Sequence, residues 1–104
     1  MSVYIIADIT IKDRDAYTEH QRLVPSIIEK FGGRYLVRGG EVISEVGEWG
    51  LSRIVMLKFP SAADAQAFST SDEYAPVAEI RHKAADTRSF MVEGIEIGND
   101  GPAY

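Results

Sequence analysis

Along the chain, apolar positions recur first with the period of a strand and then with the period of a helix. Val3–Ile11 is rich in β-branched residues. Alternation places Val3, Ile5, Ala7, Ile9 and Ile11 on one face and Tyr4, Ile6, Asp8 and Thr10 on the other. Both faces are largely apolar, which predicts a central strand covered on both sides. From about Asp13 to Phe31 the spacing changes to three and four residues, so that Tyr17, His20, Val24, Ile27, Ile28 and Phe31 form one helical stripe. Asp13 is a suitable N-cap, and Asp13 and Asp15 both suit the positive end of the helix dipole. Pro25 lies inside this stripe and is expected to kink or split the helix, because proline lacks the backbone donor and crowds the preceding turn. Gly32 and Gly33 end it.

Arg34–Arg38 reads as a second strand, broken by Gly39 and Gly40, after which Glu41–Val46 is expected to resume as a strand or hairpin. Residues Gly47, Glu48, Trp49 and Gly50 form a loop, and Arg53–Phe59 is a third strand that Pro60 stops. Ser61–Asp64 resembles a capping box and starts a helix carrying Ala65 and Phe68. A further helix is expected from about Asp72 to Ala85, with Pro76 tolerated in its first turn and Tyr74, Val77, Ala78 and Arg81 on one face. Thr87–Glu93 is the last strand, and residues 96–104 read as a loose tail after a single domain of residues 1–95. The order β-α-β-β-α-β is that of a ferredoxin-like α+β sandwich with an antiparallel sheet. Right-handed crossovers give the spatial strand order 4-1-3-2, with the helices on one face. The other face is still apolar and needs a cover. A second copy of the chain would supply one, so a homodimer is expected.

Composition narrows the partners. The chain has 104 residues, 45% hydrophobic and 26% charged, which is ordinary for a single globular domain. Its net charge is -5, which disfavours nucleic acid and anionic lipid as partners. With no cysteine there is no disulfide, thiolate metal site or cysteine nucleophile, which fits a cytoplasmic protein. No signal peptide and no membrane span are expected. HExxH, Walker, GxGxxG and GxSxG motifs are all missing from the sequence. Two histidines without close carboxylate spacing predict no zinc site, and a haem would have only His20 as an axial ligand, so no cofactor is expected.

Several segments carry a resemblance to a known family. YIIADI, LVPSI, FGGRYLVRGGEV, the Gly47-Glu48-Trp49 loop, LKFPS and SDEYAPV, with Arg81 after them, resemble the DUF1330 family over about Val3 to Ile95. The chain departs from that family's pattern at Val46, where an acidic residue is usual, and at His20, where tyrosine is common. That family is similar to the dimeric α/β-barrel superfamily, which includes small monooxygenases, haem-degrading enzymes, a lactone isomerase and ligand-binding modules. The resemblance implies a dimeric α/β barrel and leaves the function open.

The topology itself suggests where chemistry could sit. At the end of the sheet where the first strand finishes, it gathers Asp8, Tyr17, His20, Arg38, Trp49, Arg53 and Arg81. Arginine offers a planar fork to a carboxylate, tyrosine and tryptophan offer apolar faces, and His20 can move a proton near neutral pH. These seven residues are the candidate ligand site for a small organic acid. Each also has a plain structural role available. Asp8 can pair with Arg53, Arg38 with a carboxylate across a dimer, and Arg81 with an acid on its own helix. His20 and Tyr74 can serve as packing, Trp49 as an interface anchor, Gly39 and Gly40 as a turn or bulge, and His82 can be solvated. The leading expectation is a small-molecule-binding homodimer that can act as a cofactor-independent isomerase, lyase or oxygenase. The alternatives are a non-catalytic sensing module and a structural dimerisation domain.

Overall fold

The computed structural model describes residues 1–95. The expected tail lies outside them. The elements are β1 (Val3–Ile11), α1 (Arg14–Lys30), β2 (Arg34–Arg38), β3 (Ile54–Phe59), α2 (Ala62–Ser69), α3 (Ala75–Ala84) and β4 (Ala85–Glu93). The strands form one antiparallel sheet in the order β2-β3-β1-β4, which is the expected 4-1-3-2 arrangement of a ferredoxin-like α+β fold.

Local chemistry accounts for most boundaries. The Asp13 side chain accepts a hydrogen bond from the Ala16 amide and caps α1. Ser61 caps α2 by accepting from the Asp64 amide. Its hydroxyl donates to the Asp64 carboxylate, so the side chain of Asp64 meets the Ser61 hydroxyl where the expected capping box would have it meet the Ser61 amide. Gly32 closes α1 with a φ of 82°, and its amide donates to the Glu29 carbonyl. Three local expectations are corrected. α1 runs through Pro25 without a break. Burial of Val24 and Ile28 on either side of Pro25 holds the helix together despite the missing donor. Glu41–Val46 pairs with no strand among the described residues and is exposed along its length, with nothing to satisfy a ladder. α3 begins at Ala75 instead of Asp72, because the Ser71 hydroxyl accepts from the Tyr74 amide and holds the preceding residues as a turn.

The helices cover the face of β1 that carries Val3, Ile5, Ala7 and Ile9. Two apolar clusters lie between helices and sheet. One, near the start of β1, contains Val3, Val24, Ile28, Leu57, Phe59, Ala65, Phe68 and Val77. The other, near its end, contains Ile9, Tyr17, Ala84 and Ala85. Gly33 sits tightly against Phe59 and Ile28, where any side chain would collide. The opposite face of the sheet is open and carries Tyr4, Ile6, Met56, Phe90 and Val92 in register across β1, β3 and β4. Phe90 is 60% exposed there. No helix among the described residues is long and apolar enough to cross a membrane.

Candidate ligand-binding site

A cavity of about 310 Å³ lies between the helices and the covered face of the sheet. Ile5, Ala7 and Ile9 of β1 and Val55 and Leu57 of β3 give it an apolar floor. Its polar wall comes from different elements: Tyr17, His20 and Gln21 from α1, Arg38 from β2, Arg53 just before β3, Arg81 and His82 from α3, and Thr87 and Ser89 from β4. Three arginines therefore line the cavity, and no aspartate or glutamate does. This is notable in a chain whose net charge is -5. None of the three makes a salt bridge among the described residues.

Each arginine is held by something other than a carboxylate. Arg38 stacks over the Tyr35 ring, 4.1 Å from its centroid. Arg53 lies 5.9 Å from the Tyr17 centroid and packs against Gly39. Gly39 has a φ of 73°, and a Cβ there would run into the Arg53 guanidinium, so glycine serves both the turn and the approach of Arg53. The Arg81 Nε donates to the Tyr74 hydroxyl at 3.3 Å, where an ion pair on the same helix was expected. The neighbouring His82 is the residue near Glu79, at 3.8 Å.

A β-bulge explains why Arg38 reaches the cavity. Tyr35 pairs with Leu57 and Val37 with Met56, so Leu36 is an extra residue in β2. Strict alternation would put Arg38 on the open face. The extra residue turns it inward opposite Val55, on the same side as Tyr35.

His20 is buried, at 6% exposure, and neither ring nitrogen has a hydrogen-bond partner. Its ring sits 5.3 Å from Tyr17 and 6.4 Å from Tyr74, centroid to centroid. Burial, followed by the charge of Arg81, lowers its pKa to about 4. The imidazole is therefore neutral at pH 7, which corrects the expectation of a group titrating near neutrality, and it is not a locally satisfied packing residue. Burial likewise pushes the Tyr35 phenol up to about 12, so it remains a neutral donor.

Five of the seven sequence-predicted residues, Tyr17, His20, Arg38, Arg53 and Arg81, line the cavity together. Asp8 and Trp49 are not among its lining residues. Strand alternation turns Asp8 to the open face, where it accepts from the Ser52 amide at 2.8 Å and from the Arg88 Nε at 3.0 Å, instead of pairing with Arg53. The Ser52 hydrogen bond, aided by Arg88, holds its carboxyl below the usual range. Trp49 is 65% exposed on the loop, and its indole donates to the Val46 carbonyl at 2.9 Å. Among the described residues no group of three His, Cys, Asp or Glu side chains is placed to hold a metal ion.

The profile of a domain of unknown function, DUF1330, matches residues 2–95. The chain belongs to the DUF1330 family. No functionally curated protein matches it. Among solved structures, this DUF1330 fold resembles a protein of unknown function from Rhodopseudomonas palustris, with a TM-score of 0.74 and 16% identity, covering 91% of this chain and 83% of that one. A dimeric ferredoxin-like protein of unknown function from Jannaschia sp. matches at a TM-score of 0.69 and 10% identity, over 90% of this chain and 100% of that one. SnoaB, a cofactor-independent oxygenase from Streptomyces nogalater, matches at a TM-score of 0.63 and 6% identity, over 95% and 98%. At these identities the likeness shows a shared fold.

Among the polar cavity residues of this DUF1330 chain, sequence reading missed Gln21, Tyr35, Ser69, Thr87 and Ser89, read His82 as solvated and read Tyr74 as packing alone. Tyr35 carried a signal, since it alternates with exposed positions in β2 and so faces the helices. Thr87 follows from the β1–β4 register, in which it pairs with Ile9.

Proposed function

We propose that this protein binds a small organic anion in the cavity between its helices and sheet. The observation that carries this reading is the set of three arginines, Arg38, Arg53 and Arg81, on a largely apolar cavity with no lining carboxylate. Arg53 and Arg81 are half-buried and Arg38 is exposed. Guanidinium groups taken partly out of water normally seek carboxylate or phosphate partners, and a ligand carboxylate would provide one. The cavity volume of about 310 Å³ matches the small end of ligand pockets. A saturating panel of small organic acids tests this directly. At least one acid is expected to raise the melting temperature by several degrees, because a ligand that binds only the folded state stabilises it. A panel with no shift overturns the reading.

The working assembly we propose is a cytoplasmic homodimer formed through the open sheet face. Exposed Phe90, Val92 and Leu36 support this, as does the dimeric state of the Jannaschia protein. Analytical ultracentrifugation of the wild type and of Phe90→Lys checks it. The wild type is expected to sediment as a dimer and the variant as a monomer.

A second reading, a cofactor-independent enzyme, is favoured by His20. A neutral imidazole without a partner is available to exchange a proton with a bound acid. The activity of SnoaB supports this reading by analogy of fold alone. Incubating a bound acid under air with no added cofactor, and following its mass, separates the two readings. An altered ligand indicates turnover, and an unchanged one indicates a binding or sensing module.

A further inference from the structure

Among the described residues, the buried side-chain polar atoms without a hydrogen-bond partner belong to three residues: both ring nitrogens of His20, the Nε of Arg53 and the hydroxyl of Thr87. All three residues line the same cavity. They come from α1, the residue just before β3, and β4, so no single strained segment explains their coincidence. Buried polar groups are nearly always paired, and leaving one unpaired is costly. Three orphans facing one cavity therefore describe the polar atoms of whatever fills it.

Their chemistry is specific. A neutral imidazole has one donor and one acceptor nitrogen, and a hydroxyl can bond either one, by accepting from the N–H or donating to the bare nitrogen. The Arg53 Nε is a donor only and requires an acceptor, which a carboxylate provides. Tyr17 links the two, with its ring 5.9 Å from the Arg53 guanidinium carbon and 5.3 Å from the His20 ring. The lining also includes four aromatic rings, Tyr17, Tyr35, Phe68 and Tyr74, with Phe68 and Tyr74 4.4 Å apart at their centroids. Flat rings pack against such a wall by their faces and edges.

We infer that the occupant is an aromatic hydroxy acid, with its carboxylate on the arginines, its ring among the tyrosines and its hydroxyl on His20. This rests on the organic-anion reading above and goes further by fixing a second polar group and an aromatic body. Thr87 offers a further hydroxyl to the same ligand.

Isothermal titration of the full chain with three matched pairs tests it: benzoate and 4-hydroxybenzoate, phenylacetate and 4-hydroxyphenylacetate, cinnamate and 4-hydroxycinnamate. In at least one pair the hydroxylated acid is expected to bind about tenfold more tightly than its partner. In His20→Phe, which keeps a ring among Tyr17 and Tyr74, that preference within the pair is expected to shrink to about twofold or less. Thr87→Val provides a second, smaller perturbation and is expected to reduce the same preference should His20→Phe not fold. Equal binding within every pair overturns the hydroxyl assignment and leaves the anion reading standing. Binding of aliphatic acids but none of these six overturns the aromatic assignment alone. If no acid of any class binds, both readings fall.

Discussion

The two ends of β1 are built on opposite principles. Around Val3, the cluster with Phe59, Ala65 and Val77 is closed and apolar, with Phe59 0% exposed, while its members Val24, Ile28, Leu57 and Phe68 reach the border of the cavity. Around Ile9, the smaller cluster with Tyr17, Ala84 and Ala85 borders a cavity whose wall holds arginines and an unpartnered histidine. Both ends use the same helices and the same sheet. The first end fills its volume with rings that contact one another, Phe59 to Phe68 and Phe68 to Phe31. The second leaves volume empty and polar groups unsatisfied. The lesson is that close packing is concentrated at one end, while the other keeps unpartnered polar groups that a bound ligand would satisfy.

The largest way to probe this contrast is at the closed end. Phe59→Ala is expected to cost about 3–5 kcal/mol in urea unfolding, because close packing leaves a cavity that cannot collapse. A cost below about 1 kcal/mol would mean that the closed end is not the stabilising one.

Next comes pH. The folded-state pKa of His20 is about 4 against 6.5 for the free side chain, so the unfolded chain binds the extra proton between those values. The contribution is fully present above pH 6.5 and is lost as pH falls toward 4, by up to about 3 kcal/mol. His20→Phe removes this group, so its stability is expected to fall less over the same interval. Identical pH profiles for the two proteins would place the loss elsewhere. Gly39→Ala should have a smaller effect on stability, about 1–3 kcal/mol for a side chain at positive φ. It should also displace Arg53 and weaken acid binding, which titration calorimetry would show. A variant that binds acids as tightly as the wild type would remove Arg53 from the site.

Much of the fold was legible in the sequence. The β1 alternation, the α1 stripe and the two caps each rest on local chemistry, and the crossover rule then sets the strand order. The site was legible only in part. Tyr17, His20, Arg53 and Arg81 follow from helical stripes and strand ends. Arg38 reaches the cavity through the Leu36 bulge, which no residue pattern announced, so its position was read correctly for an incomplete reason. Asp8 was placed by its distance along β1 instead of by its face. The Glu41–Val46 segment has the β-branched residues of a strand but no neighbour to pair with, and pairing is a tertiary property.

The central claim is that the polar groups around the cavity are there for a ligand and not for stability. Urea unfolding of ligand-free Arg53→Met, which keeps the side-chain stem and removes the guanidinium, tests it most directly. The account predicts a stability equal to or above that of the wild type, because a buried unpartnered donor is lost. A loss of more than about 2 kcal/mol would contradict it and make Arg53 a structural residue.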